Sequence, residues 1–407
     1  MKKIVIPVVV FVIVMIVAIS TCSRSNKIIL ENDSVKTENI ESLTKRIKLN
    51  VYMENSGSMD AYMCPGSDLK DAVFDYVSDL NAYSKNLNLF YINSEIIPYK
   101  GDLQSYIKDL TPESFAEAGG DRLNTDLRRI FELVMEKQEN NTVTVFVSDC
   151  ILDIPEDATD YFGNCQISMK NIFNKALKNN PNLGVMIMQL SSKFDGIWYC
   201  GKQKLTLRNE KRPYYIWVIG NNGLLAYLSK NVPVNDIYGG IKNYCAYSGK
   251  SDIPFDIQKK SYTVNRTDKI DVEILVDMTS SLQSGEIIKD TNQYKSSNPS
   301  TTIKKITEIT NANSEYSHVV SIEINEPESV RGDKITITFS YPNMTSWIKE
   351  SNDTTGMTIR ENIDKTTGIA YLIGGVAEAF KNSTDFGNVT FKVSSINSLL
   401  EKKNKDK

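Results

Sequence analysis

Val51-Tyr52-Met53-Glu54-Asn55-Ser56-Gly57-Ser58-Met59 is an apolar, β-prone run that ends abruptly in a small, hydroxyl-rich turn carrying one carboxylate. The apolar part begins at Leu49. Beyond the turn an amphipathic helix pattern sets in, with Leu69, Val73, Tyr76, Val77, Leu80 and Tyr83 on one face. Strand, oxygen-bearing loop and helix in that order put a ligand at the carboxyl end of a strand in an open α/β sheet. The two hydroxyls and one carboxylate between Glu54 and Ser58 are hard oxygen donors suited to a small divalent cation.

Working outward, strand-like runs recur at Leu49–Met53, Leu87–Ile92, Val143–Val147, Gly184–Leu190 and Tyr214–Ile219. Helix-like stretches fall around 68–84, 125–138, 168–179 and 223–230. Continuous apolar strands alternating with amphipathic helices predict a doubly wound, mostly parallel α/β sheet over residues 47–235, covered on both faces. Gly119-Gly120 suits a close backbone approach to a ligand. The acidic stretch Pro155–Asn164 reads as a solvated loop, with a second cation site as the alternative.

The loop Glu54-Asn55-Ser56-Gly57-Ser58 resembles the Asp-x-Ser-x-Ser motif that opens the metal-ion-dependent adhesion site of von Willebrand factor A domains. That family adds a Thr from a second loop and an Asp from a third. Asn124-Thr125-Asp126-Leu127 stands just before a helix containing Ile130, Phe131 and Val134, and Ser148-Asp149 directly follows Val143–Val147, in the family's chain order. The resemblance covers about residues 47–235. It implies Mg²⁺ or Mn²⁺ held by Glu54, Ser56, Ser58, Thr125 and Asp149, with a partner protein presenting a carboxylate to the open position. Glu54 stands where the family has Asp and is longer by one methylene. Direct contact, contact through water and a site that has lost its metal all remain open at that position. A metal-dependent hydrolase of phosphate or ester groups is the alternative activity, and a metal-free scaffold the third reading. Hydrolysis needs a positioned base or nucleophile. The single histidine, His318, lies in the later, β-rich part as an ordinary surface or strand residue, and Cys150 and Ser148 have no partner constellation.

Met1-Lys2-Lys3 and the apolar run Ile4–Ile19 form a targeting or membrane segment, so residues 1–22 are set apart from the globular chain. The run is shorter than the ~20 residues of a full bilayer crossing. Ile19-Ser20-Thr21-Cys22 resembles a bacterial lipobox, which implies lipidation at Cys22; an uncleaved signal anchor is the other reading. Either one tethers the chain to a membrane of the bacterial cell envelope, its globular part outside the cytoplasm, as in a periplasmic lipoprotein. Residues 23–46 read as a polar tether. A net charge of −3 with no basic tract excludes a nucleic-acid partner on electrostatic grounds. The cysteines are too sparse for a disulfide scaffold and lack Cys-x-x-Cys spacing for zinc. Cys150 reads as a buried, inert thiol.

Beyond 240 apolar and polar residues alternate, at Asp271–Val276, around Val320, Ile322 and Ile324, and around Ile335, Ile337 and Phe339. This predicts a smaller antiparallel β-rich domain over 240–360, with Gly285–Ser317 as a long loop or weak hairpin. A helix on Ile369, Leu372, Ile373, Val376 and Phe380, then a strand on Val389, Phe391 and Val393, close the chain over 366–400. Their place in either domain stays open, and Gly374-Gly375 costs that helix about 1 kcal/mol per residue against Ala.

Overall fold

The run around Val51 forms a strand, β2 (Lys48–Glu54), buried from Leu49 onward and lying parallel between β3 (Asn86–Ile92) and β5 (Thr142–Ser148). The computed structural model describes residues 26–33, 40–123, 125–152, 160–200, 203–249, 253–265, 267–311, 313–340, 344–354, 360–383 and 387–395. Residues 1–22 with Cys22, Asn124 and residues 155–159 lie outside that set, whereas the second half of the expected loop Pro155–Asn164 opens the helix Tyr161–Asn179.

Four more strands complete a seven-stranded sheet: β4 (Ile96–Pro98), β6 (Leu183–Cys200), β7 (Gln203–Asn221) and β8 (Asn243–Ser248). The order is β4-β3-β2-β5-β7-β6-β8. Side chains alternate across it. Val51, Met53 and Val145 pack with Leu69, Val73 and Phe115 on one face, whereas Tyr52, Phe146 and Trp217 pack with Phe131, Phe173 and Leu372 on the other.

The expected doubly wound, mostly parallel sheet is not what forms. Only β2–β3 and β2–β5 are parallel, whereas β3–β4, β5–β7, β6–β7 and β6–β8 are antiparallel. Across the described residues 18 strands make four mostly antiparallel sheets. The physical reason lies between Gly184–Leu190 and Tyr214–Ile219. Parallel neighbours need a crossover connection, usually a helix. Here the polar residues between the two runs extend both strands into one hairpin, paired from Leu183↔Asn221 out to Cys200↔Gln203.

The rest of the chain is a second layered unit. One sheet runs β10 (Ser261–Val264), β1 (Asn26–Asn32), β18 (Asn388–Ser395), β15 (Lys334–Phe339), β12 (Tyr294–Ser296). The other runs β13 (Thr301–Glu308), β14 (His318–Asn325), β11 (Lys269–Val276), β9 (Phe255–Ile257). All their ladders are antiparallel, and Ile28, Val272, Ile322, Ile335 and Phe391 share one core between them. A short parallel pair, β16 (Asn352–Asp353) and β17 (Thr366–Thr367), stands apart.

Several boundaries shift. The stretch 23–46, expected as a tether, contains β1, paired on both sides by β10 and β18, and a short helix Ile40–Thr44. Gly285–Ser317 is not a bare loop: it holds the helix Gly285–Lys289, β12 and β13. The closing helix and strand part company. β18 joins the β-layered unit, whereas the helix Ile369–Ser383 packs on the helix Tyr161–Asn179 of the seven-stranded unit. There a Cβ on Gly375 would meet the Gln166 carbonyl at 2.4 Å, so the glycine that weakens the helix is what lets the two backbones approach. No helix among the described residues is long and apolar enough to cross a membrane.

Candidate functional site

β2 and β5 end side by side, with Met53 opposite Val147, so the chain leaves the sheet at Glu54 and at Ser148-Asp149 on the same rim. Beside them β3 ends at Ile92-Asn93. Because β2, β3 and β5 run parallel, their carboxyl ends and the loops that follow gather on one side of the sheet. Here it holds an unusual density of buried polar side chains: Glu54, Asn55, Ser56, Asn93, Ser148 and Asp149.

Their connections form a network. The Ser148 hydroxyl donates to Glu54 Oε2 and accepts from the Cys150 amide at 2.7 Å. The Ser56 and Ser58 hydroxyls lie 3.1 Å apart. Hydrogen bonding from Ser56 favours ionised Glu54, and from Ser58 ionised Asp149. Asp149 Oδ1 accepts from the Ile151 amide at 3.2 Å, and Oδ2 has no partner. Cys150 turns this corner at φ 54°, a left-handed conformation that a non-glycine residue adopts at a cost of about 1–3 kcal/mol and that concentrates at functional sites.

The second loop is clasped to the first. Arg122 Nε donates to the Asn55 carbonyl at 2.8 Å, its guanidinium pairs with Asp60, and its own carbonyl accepts from the Gly57 amide at 3.0 Å. Asn93 Nδ2 bridges Asn55 Oδ1 and the Gly119 carbonyl at 3.0 and 2.9 Å. Gly120, at φ 75°, lies so close that a Cβ would stand 2.1 Å from Asn93 Oδ1. Thr125 follows at the end of this loop, its Oγ1 buried and without a partner. Asp126 is committed elsewhere: it caps the helix Leu127–Glu136 through the Arg128 amide and pairs with the Arg128 guanidinium.

The structure therefore joins Glu54, Ser56, Ser58 and Asp149 directly, and carries Thr125 on the loop that Arg122 fastens to them. Two contributors had no motif to mark them. Ser148 bridges the two carboxylate-bearing strand ends, and only its place beside Asp149 pointed to it. Arg212 comes from the hairpin where β7 runs past the sheet, just beyond the Ser148↔Tyr215 pair. It is 1% exposed, donates to the Ile363 and Lys365 carbonyls at 3.0 and 3.2 Å, and stacks over Phe194 and Trp198. Nothing in the Glu210-Lys211-Arg212-Pro213 sequence signals this.

Burial dominates the electrostatics of the rim. Burial first, then the Asp149 charge, raises the Glu54 carboxyl from 4.5 to about 8, against hydrogen bonds from Ser148 and Ser56. Burial likewise raises Asp149, opposed by Ser58, the Ile151 amide and the Arg212 charge. Two buried carboxylates share one site with Arg212 as the nearby cation. Burial pushes the Cys150 thiol up, and Trp217 Nε1 donates to its Sγ at 3.3 Å, which makes it the inert thiol the sequence predicts. Among the described residues no group of three or more His, Cys, Asp and Glu is placed to hold a metal ion. Two carboxylates with three hydroxyls nonetheless fit a hard ion such as Mg²⁺ or Mn²⁺, which takes one or two carboxylates and keeps several waters. Two of those oxygens, Thr125 Oγ1 and Asp149 Oδ2, are buried without partners. No family model, curated protein or solved structure matches the chain.

Proposed function

We propose that the rim formed by β2, β5 and the Arg122 loop binds Mg²⁺ or Mn²⁺ and through it engages a carboxylate of a protein partner. Ser56, Ser58 and Thr125 supply neutral oxygens, Asp149 supplies charge, and Glu54 reaches the ion directly or through water. The observation that carries this reading is the pair of buried, unpartnered oxygens, Thr125 Oγ1 and Asp149 Oδ2, at two of the positions that the resemblance to von Willebrand factor A domains implies as ligands. Buried polar atoms without partners are rare because each costs about 1–3 kcal/mol. A cation offers both what they lack. Leu123, 82% exposed on the Thr125 loop, adds an apolar contact for the partner beside the charged one. The leader that precedes β1 would tether this module to a membrane of the bacterial envelope.

A second reading, the metal-free scaffold, is favoured by one observation: a protonated Glu54 hydrogen-bonded to Ser148 already satisfies much of the rim. Calorimetric titration of the full chain with Mg²⁺ and Mn²⁺, beside Ser58→Ala, separates the two. Saturable heat that weakens about tenfold or more in the variant supports the cation site, since loss of one ligand or its supporting contacts typically costs 10–100-fold. Absence of heat in both proteins supports the scaffold. A hydrolase reading gains nothing from the rim, where no histidine stands and the one thiol is held protonated.

A further inference from the structure

Where the two layered units meet, far along the chain from the rim residues, a cleft of about 740 Å³ opens. This lies within the range of small-molecule sites, roughly 300–1,000 Å³. Three segments converge on it: the end of the helix Asn222–Asn231 with the turn after it, the link that follows β11, and the connection between β13 and β14. Its floor is apolar, with Tyr244, Met278, Leu282 and Ile288. Its charges are one-sided. Asp277, Glu308 and Glu315 face it against the single cation Lys230. Among the described residues neither Asp277 nor Glu315 has a cation within salt-bridge distance, and Glu308 meets Lys289 only at 3.8 Å.

His318 forms part of the wall and is 6% exposed. Its Nδ1 lies 2.9 Å from Ser317 Oγ, and its Nε2 is buried with no partner. Burial holds the ring below its ordinary pKa, with Glu308 and Asp277 opposing and Lys289 assisting, so the imidazole is neutral at neutral pH and has one nitrogen to satisfy. The acidic side chains are not gathered tightly enough to hold a metal ion. A wider, softer cation suits them better.

We propose that this cleft binds a small organic cation, an aliphatic ammonium ion whose head lies among Asp277, Glu308 and Glu315 and whose hydrocarbon body rests on Tyr244, Met278 and Leu282. The apolar floor contributes burial of the body, and the carboxylates, of which Asp277 and Glu315 have no cation within salt-bridge distance among the described residues, select its charge. The Ser317 hydroxyl donates to the Val276 carbonyl, which leaves His318 Nδ1 as the donor to Ser317 and Nε2 as the acceptor beside the head.

The chain has one histidine, so selective ¹³C labelling of histidine gives a single imidazole signal that reports on the cleft wall. Full-length protein is titrated with hexylammonium, hexanol and hexanoate, three probes of like shape and different charge. The expected result is a saturable shift with hexylammonium alone, about tenfold weaker in the Asp277→Asn, Glu315→Gln double variant. Glu315→Gln by itself, at an exposed position, gives a smaller loss in the same direction and covers the case in which the double variant fails to fold. No saturable shift, equal affinity for hexanol or hexanoate, or unchanged hexylammonium affinity in the folded variants would overturn the proposal.

Discussion

The rim of the seven-stranded sheet and the interior between the two β-layers manage burial in opposite ways. Between the layers the alternation is regular: in β11 and β14 every second residue is buried, and those positions are aliphatic except for His318 at the start of β14. At the rim the buried positions are instead Glu54, Asn55, Ser56, Asn93, Ser148 and Asp149, two of them carboxylates. Buried polar groups are tolerated when bonded and costly when not. Apolar burial stabilises the β-layered interior, whereas the rim carries the desolvation cost of two buried carboxylates.

Each region can be perturbed without the other. The largest effect is expected between the layers. Ile322→Ala removes a fully buried side chain from the shared core and should cost about 3 kcal/mol or more in denaturant unfolding. Cation affinity in the folded fraction should not change; a matching loss of affinity would show that the two regions are not independent. Next comes Asp149→Asn, which should weaken Mn²⁺ binding about 100-fold in calorimetry, a loss of about 2.7 kcal/mol, while leaving the fold intact. Binding as tight as in the wild type would remove Asp149 from the site.

A smaller effect concerns pH. Glu54 is raised in the folded protein from 4.5 to about 8, so its contribution to stability is fully present below 4.5 and is lost as pH rises through 8. In chelator, the stability of the wild type to thermal unfolding should therefore fall as pH rises across that window. Glu54→Gln should flatten the slope, leaving the part due to Asp149, which is raised as well. A wild-type stability that climbs with pH would contradict the burial of these carboxyls. The smallest effect belongs to the clasp. Arg122→Lys keeps the charge but loses the fork that joins Asn55 and Asp60, and should weaken cation binding by about tenfold or less.

Much of the rim was legible in the chain because it is local. The strand ends at Glu54 and Ser148-Asp149, and the helix that starts beyond Thr125, are short-range patterns of apolar run followed by polar turn. What stayed hidden is what depends on long-range pairing. β1 is a seven-residue strand in a polar stretch, and its neighbour β18 lies at the other end of the chain, with Ile29 opposite Ser394. The β6–β7 hairpin was hidden for a different reason. Ser191 to Pro213 has no strong apolar period of its own, and its pairing follows from two strands already anchored in the sheet. Arg212 arrives at the rim only through that hairpin, so no local motif could mark it. The sheet's direction depends on the same hairpin, since a helix-free return between two apolar runs reverses the strand.

The proposed site brings oxygens from three separate parts of the chain to one cation. Anomalous diffraction from crystals grown with Mn²⁺ tests this most directly. The expected result is a single strong manganese peak at the end of β2 and β5, within coordination distance of Asp149 and of the Ser56, Ser58 and Thr125 hydroxyls. Crystals in which manganese is absent from that rim, or lies only on exposed surface carboxylates, would contradict it.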